Sequence, residues 1–318
     1  MNNKSLFDDL RLELERGNSM AVGSAFHRVL VDELTSGNPY LNSTEFEMLR
    51  KHYPNIMNGS RQLWLRDVYA KRRSYTLECI RNDERAMVLD AGCGFGSDSF
   101  LFASLGASVT GIDISDDQIQ IAEKRKRYYE EGLSQELVVK FESANLDQYR
   151  SDLDNLSLTW FASVLAAVSD QDSLFSWLNQ LTRPGGRVVV TDMNLRNPFF
   201  SSREWLRRQK AKRRNPEFAA SANFGAMFRR TGRVGARYFP RENSDSQKGF
   251  VFDDVQFFTP NTCAKLMINS GFRVETVDYS ACTPPLPSES LTVAAERTTG
   301  AVPGLRSLGY FYTVVGSK

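Results

Sequence analysis

The sequence predicts an α/β fold in which parallel strands alternate with helices. The prediction depends on three observations: short apolar runs recur after residue 86, helical patterns separate them, and a glycine cluster follows the first run. Apolar strands that alternate with helices of about 10–15 residues are typical of βαβ units. The 318 residues are 41% hydrophobic and 25% charged, which excludes a disordered or fibrous chain. This length accommodates one large domain with additions, or two smaller domains.

Helices are expected first, over residues 1–85, which we predict to form an N-terminal cap. Thr44 and Glu47 predict a capping box at the start of one helix. Residues 63–80 predict a second helix that carries its Arg and Lys side chains on its outer face.

Seven strands are expected after this cap. The first five are predicted at residues 87–89, 109–114, 137–141, 156–164 and 187–191, and the last two, expected to be neighbours, at 272–279 and 310–315. Helices are predicted between them at residues 98–105, 116–131, 172–181 and 259–270. Ser115 and Gln118 form a capping box for the second of these helices. Pro184, Gly185 and Gly186 predict a turn that leads into the fifth strand.

The formal net charge of +2 conceals an uneven distribution along the chain. Residues 196–248 hold 14 basic and four acidic side chains, a charge of +10, which leaves 26 basic against 34 acidic elsewhere, or −8. We predict that residues 195–257 form a basic, aromatic-rich insertion, with a helix at 203–214, that covers the acceptor as a lid. Its arginines and aromatic rings suit an anionic or amphiphilic partner. A solvated basic cover with an aromatic underside is the alternative interpretation.

Cysteine usage and hydropathy indicate the compartment. No apolar stretch reaches the roughly 18–20 residues that cross a bilayer, and the first residues lack the apolar core of a signal peptide. The four cysteines are far apart in the chain, with no C-x-x-C motif and no histidine cluster. We therefore expect a cytoplasmic protein without a disulfide framework or structural zinc site, although peripheral membrane contact stays open.

The glycine cluster predicts a ligand site. Gly92, Gly94 and Gly96 follow the first strand, and glycines there allow a ligand to approach the backbone at a helix N-terminus. Nicotinamide cofactors require G-x-G-x-x-G, whereas the spacing here is G-x-G-x-G and Ser97 follows. Asp90 beside the loop repels a pyrophosphate and attracts an ammonium or sulfonium group. The loop is therefore expected to bind a cationic amino-acid ligand.

Further contacts to this ligand are expected at the ends of the next strands. Asp113 ends the second strand, 21 residues after Gly92, where an acid can accept hydrogen bonds from both hydroxyls of a ribose. Ile114 can pack on an adenine face, and the Asn145 amide can pair with an adenine edge. Leu146 and Phe161 complete the predicted set of cofactor contacts.

These segments together resemble the class I S-adenosylmethionine-dependent methyltransferases. Residues 90–96 look like the first motif of that family, residues 106–115 like its second, residues 181–186 like the turn before its fifth strand, and residues 258–260 like the start of a late helix. The resemblance covers about half of the chain. It implies S-adenosylmethionine as cofactor and a Rossmann-like, seven-stranded, mostly parallel sheet whose last strand is reversed. The resemblance also implies that residues 86–194 bind the cofactor and that residues 258–318 complete the same α/β core.

The sequence also departs from the family pattern near the chemistry. Many relatives carry Glu-His after the fourth strand, where this chain has Ala166 and Ala167. Ser157 stands where the family has an acid on that strand, so we expect no metal-dependent mechanism. The two histidines of the chain, His27 and His52, are the candidate general bases, with packing roles as the alternative for each.

The expected function is methyl transfer to a small metabolite or lipid-like intermediate, with oxygen preferred as acceptor atom. One alternative is an RNA methyltransferase that uses the basic insertion. Residues 159–162 lack the Asn/Asp-Pro-Pro-aromatic signature of enzymes that methylate exocyclic base amines, which disfavours nucleic acid as partner without excluding it. The other alternative is a catalytically silent partner subunit that keeps the cofactor fold.

Overall fold

The structure is a computed structural model of the chain and describes residues 3–53, 62–149, 153–197, 202, 233–236, 255–282 and 288–318. Most of the basic segment, including the helix predicted at 203–214, lies outside these residues. The fold class expected from the sequence is confirmed by the arrangement of the described strands.

Four helices precede the sheet. They are α1 (Asn3–Arg16), α2 (Ser19–Ser36), α3 (Ser43–His52) and α4 (Gln62–Arg81). The capping box of α3 lies two residues earlier than predicted. The Asn42 side chain accepts from the backbone N–H groups of Thr44 and Glu45, and the Glu45 carboxylate accepts from the Asn42 N–H. The prediction that paired Thr44 with Glu47 was therefore wrong, because Asn42 already supplies the N-cap oxygen.

The main sheet has seven strands, in the order β3-β2-β1-β4-β5-β9-β8. The strands are β1 (Met87–Ala91), β2 (Ser108–Asp113), β3 (Val139–Ser143), β4 (Leu156–Ala162), β5 (Thr182–Met193), β8 (Arg273–Ser280) and β9 (Phe311–Ser317). The first five pair in parallel, and β9 lies antiparallel between β5 and β8. The seven strands, the reversed last strand and the adjacency of the final two are confirmed.

Six further α-helices, a short 3-10 helix (Leu165–Ala167) and a second small sheet follow in the described structure. The helices are α5 (Ser97–Ser104), α6 (Asp116–Leu133), α7 (Gln171–Leu181), α8 (Pro260–Asn269), α9 (Glu289–Ala301) and α10 (Pro303–Arg306). The small sheet pairs β6 (Arg233–Ala236) antiparallel with β7 (Val255–Phe258). Ser115 caps α6 by accepting from the Gln118 N–H, as predicted, and Thr259 is the N-cap of α8, which begins one residue later than predicted. The strands β6 and β7 and the helices α9 and α10 were not predicted from the sequence. In α9 the apolar Leu291 is exposed and the polar Thr292 is buried, so the helix lacks the apolar stripe that would have identified it.

Alternate residues of the strands face two hydrophobic layers. Val88 and Val189 pack with α1, α2, α5 and α6 on one face, whereas Leu89 and Val190 pack with α7 and α8 on the other. The helices α1 and α2 share one hydrophobic cluster with the sheet through residues such as Phe7. The helices α1 and α2 are thus part of the same core as the sheet.

The predicted turn before the fifth strand lies inside β5. Leu156 pairs with Thr182 and Leu158 pairs with Arg187, so the residues between them bulge from the ladder. Gly185 has φ of +77°, and its N–H donates to the Lys318 carbonyl 3.1 Å away. The Pro-Gly-Gly turn therefore interrupts a longer strand instead of preceding a shorter one.

All four cysteines are free thiols. Among the described residues, no helix combines the length and the hydropathy needed to cross a membrane.

Candidate functional site

A cleft of about 640 Å³ lies at the carboxyl ends of β1, β2 and β4, under α3 and α4. This is the edge where parallel α/β sheets bind ligands. Six of the predicted site residues line it: His52, Asp90, Gly92, Gly94, Asp113 and Ile114. The residues that complete its wall include Tyr53, Tyr69, Arg72, Arg73, Cys93, Phe95, Asp98, Trp160, Ser163, Val164 and Phe311.

The glycine loop is closely packed against the end of β4. Gly92, Gly94 and Gly96 have φ values of +75°, +55° and +77°, in the left-handed region that favours glycine. A Cβ at Gly92 would lie 2.4 Å from Val164 Cγ2, and one at Gly96 would lie 2.6 Å from Phe141 Cζ. Gly92 and Gly94 line the cleft, whereas Gly96 serves packing beneath the loop and is not among the lining residues.

The loop uses its amides internally. The N–H groups of Gly92 and Cys93 donate to the Ile112 carbonyl at 2.7 and 2.9 Å, and the Gly94 N–H donates to Asp113 Oδ2 at 2.9 Å. The Gly96 N–H donates to the Cys93 carbonyl at 2.9 Å. A phosphate site requires such amides to point at the ligand. This loop is therefore shaped for a ligand without a phosphate.

Asp113 joins the loop to the second strand. Its Oδ1 accepts from the Ser115 N–H at 2.9 Å while Oδ2 holds the Gly94 N–H. Burial raises the pKa of Asp113, and hydrogen bonds from three backbone N–H groups offset part of that shift. Each carboxylate oxygen has a further lone pair, so Asp113 can accept additional hydrogen bonds from a ligand in the cleft.

Asp90 lies deeper, at the floor of the cleft, and is 2% exposed. Its Oδ2 accepts a hydrogen bond from the Ser99 hydroxyl. Burial, followed by the nearby charge of Asp98, raises the pKa of Asp90 to about 8. Asp98 itself accepts from Arg73 Nε at 2.6 Å and from Trp160 Nε1 at 3.0 Å. The floor thus carries two carboxylates and, within the part of the chain that the structure describes, Asp98 is paired with a cation whereas Asp90 is not.

Two arginines of α4 form another wall of the cleft, and they were not among the residues predicted from the sequence. Arg72 and Arg73 are each 5% exposed, although their helix was predicted to keep its basic residues on its outer face. Arg72 Nε donates to Thr191 Oγ1 at 2.7 Å, and its guanidinium lies 4.4 Å from the centroid of the Phe311 ring. Arg73 Nη1 is buried without a hydrogen-bond partner among the described residues. The adjacent Arg-Arg pair was the available signal, but its partners lie far along the chain.

The two histidines occupy different environments. His52 is exposed in the cleft, and its ring centroid lies 4.9 Å from that of Phe95. Desolvation of the ring by the surrounding protein, and then the charge of Arg125, lower the pKa of His52. His27 is 2% exposed beneath Tyr69 and does not line the cleft. Burial, followed by the charges of Arg73 and Arg66, lowers the pKa of His27 to about 3.

Three other predicted contacts lie outside the cleft. Phe161 is fully buried in the layer beneath α7, because strand alternation points its neighbours Trp160 and Ala162 to the cleft side instead. Leu146 packs in the same layer, and Asn145 Oδ1 accepts from the Asp147 N–H at 2.9 Å. The placement of these three side chains does not support the predicted contacts.

The charges of the cleft match a zwitterionic ligand with a ribose. Asp90 and Asp98 lie on the floor beside the glycine loop, the two arginines lie on α4, and Asp113 lies at the end of β2. The unpartnered Nη1 of Arg73 suits a carboxylate, since a buried donor without an acceptor is unfavourable. These residues fit the amino-acid and ribose parts of S-adenosylmethionine. Among the described residues, no group of three metal-ligating side chains is brought together.

Comparison with protein families gives one match in this region. Residues 82–232 match a family described as "Methyltransferase domain". The ubiquinone biosynthesis O-methyltransferase of Alkalilimnicola ehrlichii is 32% identical over 134 residues, which cover 42% of this chain and 52% of that protein. The methyltransferase GfsG of Streptomyces halstedii is 31% identical over 110 residues, 34% of this chain and 38% of that protein. The chain thus spans about half, or less, of these curated relatives.

Solved structures of similar shape include an S-adenosylmethionine-dependent methyltransferase from Methanosarcina mazei. It is 18% identical, the match covers 74% of this chain and 93% of that chain, and the TM-score is 0.48. One from Archaeoglobus fulgidus is 16% identical, with 84% and 99% covered and a TM-score of 0.47.

Proposed function

We propose that the chain is a class I S-adenosylmethionine-dependent methyltransferase and that it transfers the methyl group of this cofactor to a small-molecule or lipid-like acceptor, with oxygen favoured as acceptor atom. The observation that carries this proposal is the cleft itself. Its glycine loop directs its amides to internal acceptors, and it lies between the buried carboxyl group of Asp90 and two buried arginines. Such a cleft suits a cofactor that ends in a zwitterionic amino acid.

In this proposal, different residues of the cleft bind different parts of the cofactor. Asp113 accepts from the ribose hydroxyls, and Ile114 packs on the adenine. Asp90 attracts the ammonium group, while Arg72 and Arg73 take the carboxylate. His52 and Phe95 cover the loop from the side of α3. These positions leave the end of β4, at Ser163 and Val164, for the activated methyl group and the acceptor.

The cofactor supplies a methyl group that is already activated on a sulfonium. The chain's own task is alignment of the acceptor and, for a hydroxyl, removal of its proton. Among the described residues at the end of β4, Ala162, Ser163 and Val164 bring no acid or base to the cleft. Alignment is therefore the larger part of the proposed mechanism.

His52 is the proposed proton acceptor of the two histidines. Its ring lines the cleft and is neutral near pH 7, as a base requires, although the lowered pKa makes it a weak one. Replacement of each histidine by Ala tests this assignment. We expect slower turnover for His52→Ala near pH 7, with a deficit that shrinks in acid because the ring of the unaltered chain is itself protonated there, and no such pH effect for His27→Ala. Unchanged turnover in both variants would remove the histidines from the mechanism.

The preference for oxygen draws support from the relatives named ubiquinone biosynthesis O-methyltransferase. The basic segment at 196–248 supports an acceptor with anionic character. A cytoplasmic location is proposed from the four free cysteines.

Calorimetry with S-adenosylhomocysteine tests the cofactor assignment. Binding is expected for the unaltered chain and is expected to weaken in Asp90→Ala and Asp113→Ala. Absence of binding by the unaltered chain, or variants that bind as tightly as the unaltered chain, contradicts the assignment. Transfer of labelled methyl from S-adenosylmethionine to a panel of phenolic and hydroxylated isoprenoid acceptors then tests the acceptor class. Labelling of added RNA instead of these acceptors favours the RNA methyltransferase. Binding without transfer to either favours a silent partner subunit.

A further inference from the structure

A buried ion pair connects the N-terminal helices to the glycine loop. Glu33 of α2 and Arg125 of α6 are both 0% exposed. Arg125 Nε donates to Glu33 Oε1 at 2.8 Å, and Arg125 Nη2 donates to Glu33 Oε2. The two residues are 92 positions apart in the sequence. This bidentate contact is therefore tertiary, and it joins the cap to the cofactor-binding half.

All five N–H donors of this guanidinium have acceptors. Besides the two bonds to Glu33, Nη2 donates to Tyr129 Oη at 3.4 Å, and Nη1 donates to the Phe95 carbonyl and to Ser97 Oγ. The Glu33 carboxylate also accepts from Asn38 Nδ2 at 2.7 Å and from Tyr129 Oη at 2.9 Å. The pair is fully satisfied, which defines one orientation for each group.

Two of these bonds end on the glycine loop. Phe95 lies between Gly94 and Gly96, and Ser97 begins α5. Ser97 Oγ also lies 2.8 Å from the Tyr53 hydroxyl, at the end of α3. Phe95, Ser97 and Tyr53 all line the cleft. Arg125 does not line it, so it can act on a bound ligand only through these neighbours.

Stability alone does not explain a buried ion pair. The desolvation of two charges offsets most of their attraction, and apolar residues of similar volume commonly stabilise a core as well or better. An apolar pair would, however, leave the Phe95 carbonyl and Ser97 hydroxyl without the donors that orient them. The specific effect of this pair is therefore on the conformation of the loop.

We propose that Glu33 and Arg125 are positioning residues that hold residues 95–97 of the glycine loop in the conformation that binds the cofactor. This inference rests on the proposed function, and it makes α2 part of the cofactor site although α2 has no residue in the cleft. Since coupling is reciprocal, bound cofactor stabilises the docked position of α2 by the same free energy.

Other contacts between the cap and α6 offer a matched control. Lys124 pairs with Glu45 of α3, and the Tyr40 hydroxyl donates to Glu131; both contacts are at the surface and reach no loop residue. Lys124→Ala and Tyr40→Phe therefore weaken cap docking without altering the orientation of the glycine loop.

The test compares Glu33→Gln, Arg125→Lys, the double variant Glu33→Leu with Arg125→Met, and the two controls. The measurements are Tm and the Kd of S-adenosylhomocysteine by calorimetry. The single variants are expected to lose both stability and affinity. The double variant removes the buried charges together, so its Tm is expected to recover while its Kd stays about tenfold or more weaker. The controls are expected to bind within about twofold of the unaltered chain.

Hydrogen exchange gives a second readout of the same proposal. S-adenosylhomocysteine is expected to slow amide exchange in α2 of the unaltered chain and not in the double variant. A double variant with native Tm and native Kd overturns the positioning role, as does an equal loss of affinity in the surface controls. Absence of binding by the unaltered chain refutes the cofactor assignment, which distinguishes that failure from failure of this inference.

Discussion

Asp90 shows how strongly the surroundings of one residue determine its chemistry. On the sequence it is an acid beside a glycine loop, with a usual pKa near 3.9. In the fold it is 2% exposed, and burial and the charge of Asp98 raise its pKa to about 8. A ligand cation that approaches this carboxyl group must therefore favour its ionised form. The protonation state of Asp90 therefore makes both cofactor affinity and stability depend on pH.

The pH dependence of stability follows from that raised pKa. Between pH of about 4 and 8 the folded chain holds a proton on Asp90 that the unfolded chain has released, so this residue's contribution to the free energy of unfolding falls as pH rises. We expect the Tm of the unaltered chain to fall relative to that of Asp90→Asn as the pH is raised from 5 to 8. A difference that is constant over this range would contradict the raised pKa.

Cofactor affinity is expected to change in the opposite direction. Because a cationic ligand prefers the ionised carboxylate, the affinity for S-adenosylhomocysteine should rise from pH 6 to pH 8, by at most about tenfold per pH unit. Asp90→Asn removes the titrating group and should remove this rise. Calorimetry of both proteins at four pH values measures the effect, and parallel pH profiles would exclude Asp90 as its source.

Gly92 and Gly94 differ in what surrounds them. A Cβ at Gly92 would lie 2.4 Å from the branched Val164, whereas one at Gly94 would lie 3.1 Å from Oε1 of Gln118, the end of a flexible side chain. We expect Gly92→Ala to lower the free energy of unfolding by about 2–3 kcal/mol and Gly94→Ala by about 1 kcal/mol. Val164→Ala should restore part of the loss only in Gly92→Ala. Equal losses in chemical denaturation, with no rescue, would refute the contact argument.

At the scale of elements, α3 shows that a short helix can carry part of a site. It has ten residues, and of these Leu49 is the buried one. Its N-terminus depends on the box of Asn42 and Glu45, and its C-terminus brings His52 and Tyr53 to the cleft. Because an isolated helix of this length is marginal, the cap is a large part of its local stability.

Asn42→Ala is therefore expected to weaken α3 by about 1 kcal/mol, since two backbone N–H groups lose their acceptor. Amide exchange within α3 should accelerate, and the affinity for S-adenosylhomocysteine should fall by a few fold. Ser43→Ala, at the neighbouring exposed position, is the matched control and should change neither quantity. Equal exchange in both variants would show that packing alone holds α3.

At the scale of the molecule, the sheet depends on its last strand. β9 pairs on both sides, with β5 and with β8, and its Tyr312 and Val314 are fully buried. The strand that comes last in the described chain is thus interior to the sheet. Its absence would expose one side of β5 and one side of β8 together, with the apolar layer beneath them.

A chain that stops after Tyr310 is therefore expected to lose cooperative unfolding, although it lacks only eight residues. Lys318→Ala keeps the strand and removes a side chain that contacts the Asn179 carbonyl at the surface, so its Tm should change little. A cooperative melt of the truncated chain near the native Tm would contradict the interior role of β9.

Much of this architecture could be predicted from residues close together in the chain. The apolar runs that become strands are buried on both faces, so their composition identifies them without knowledge of their neighbours. The N-cap of α6 at Ser115 depends on a partner three residues away. By contrast, the bulge in β5 requires pairing with β4 and with Lys318, which no local pattern contains.

The sequence by itself determined the α/β class, the order of the main strands along the chain, and the glycine loop with Asp90 and Asp113. These features depend on glycine spacing and apolar periodicity, which are local properties. The tertiary structure decided which side chains meet in the cleft. Arg72 is held by Thr191, 119 positions away, and Phe161 turns from the cleft because strand alternation directs it to the opposite layer. The contact of Glu33 with Arg125 likewise exists only after folding. Burial and charge pairing are non-local, so they become definite only when distant segments pack together.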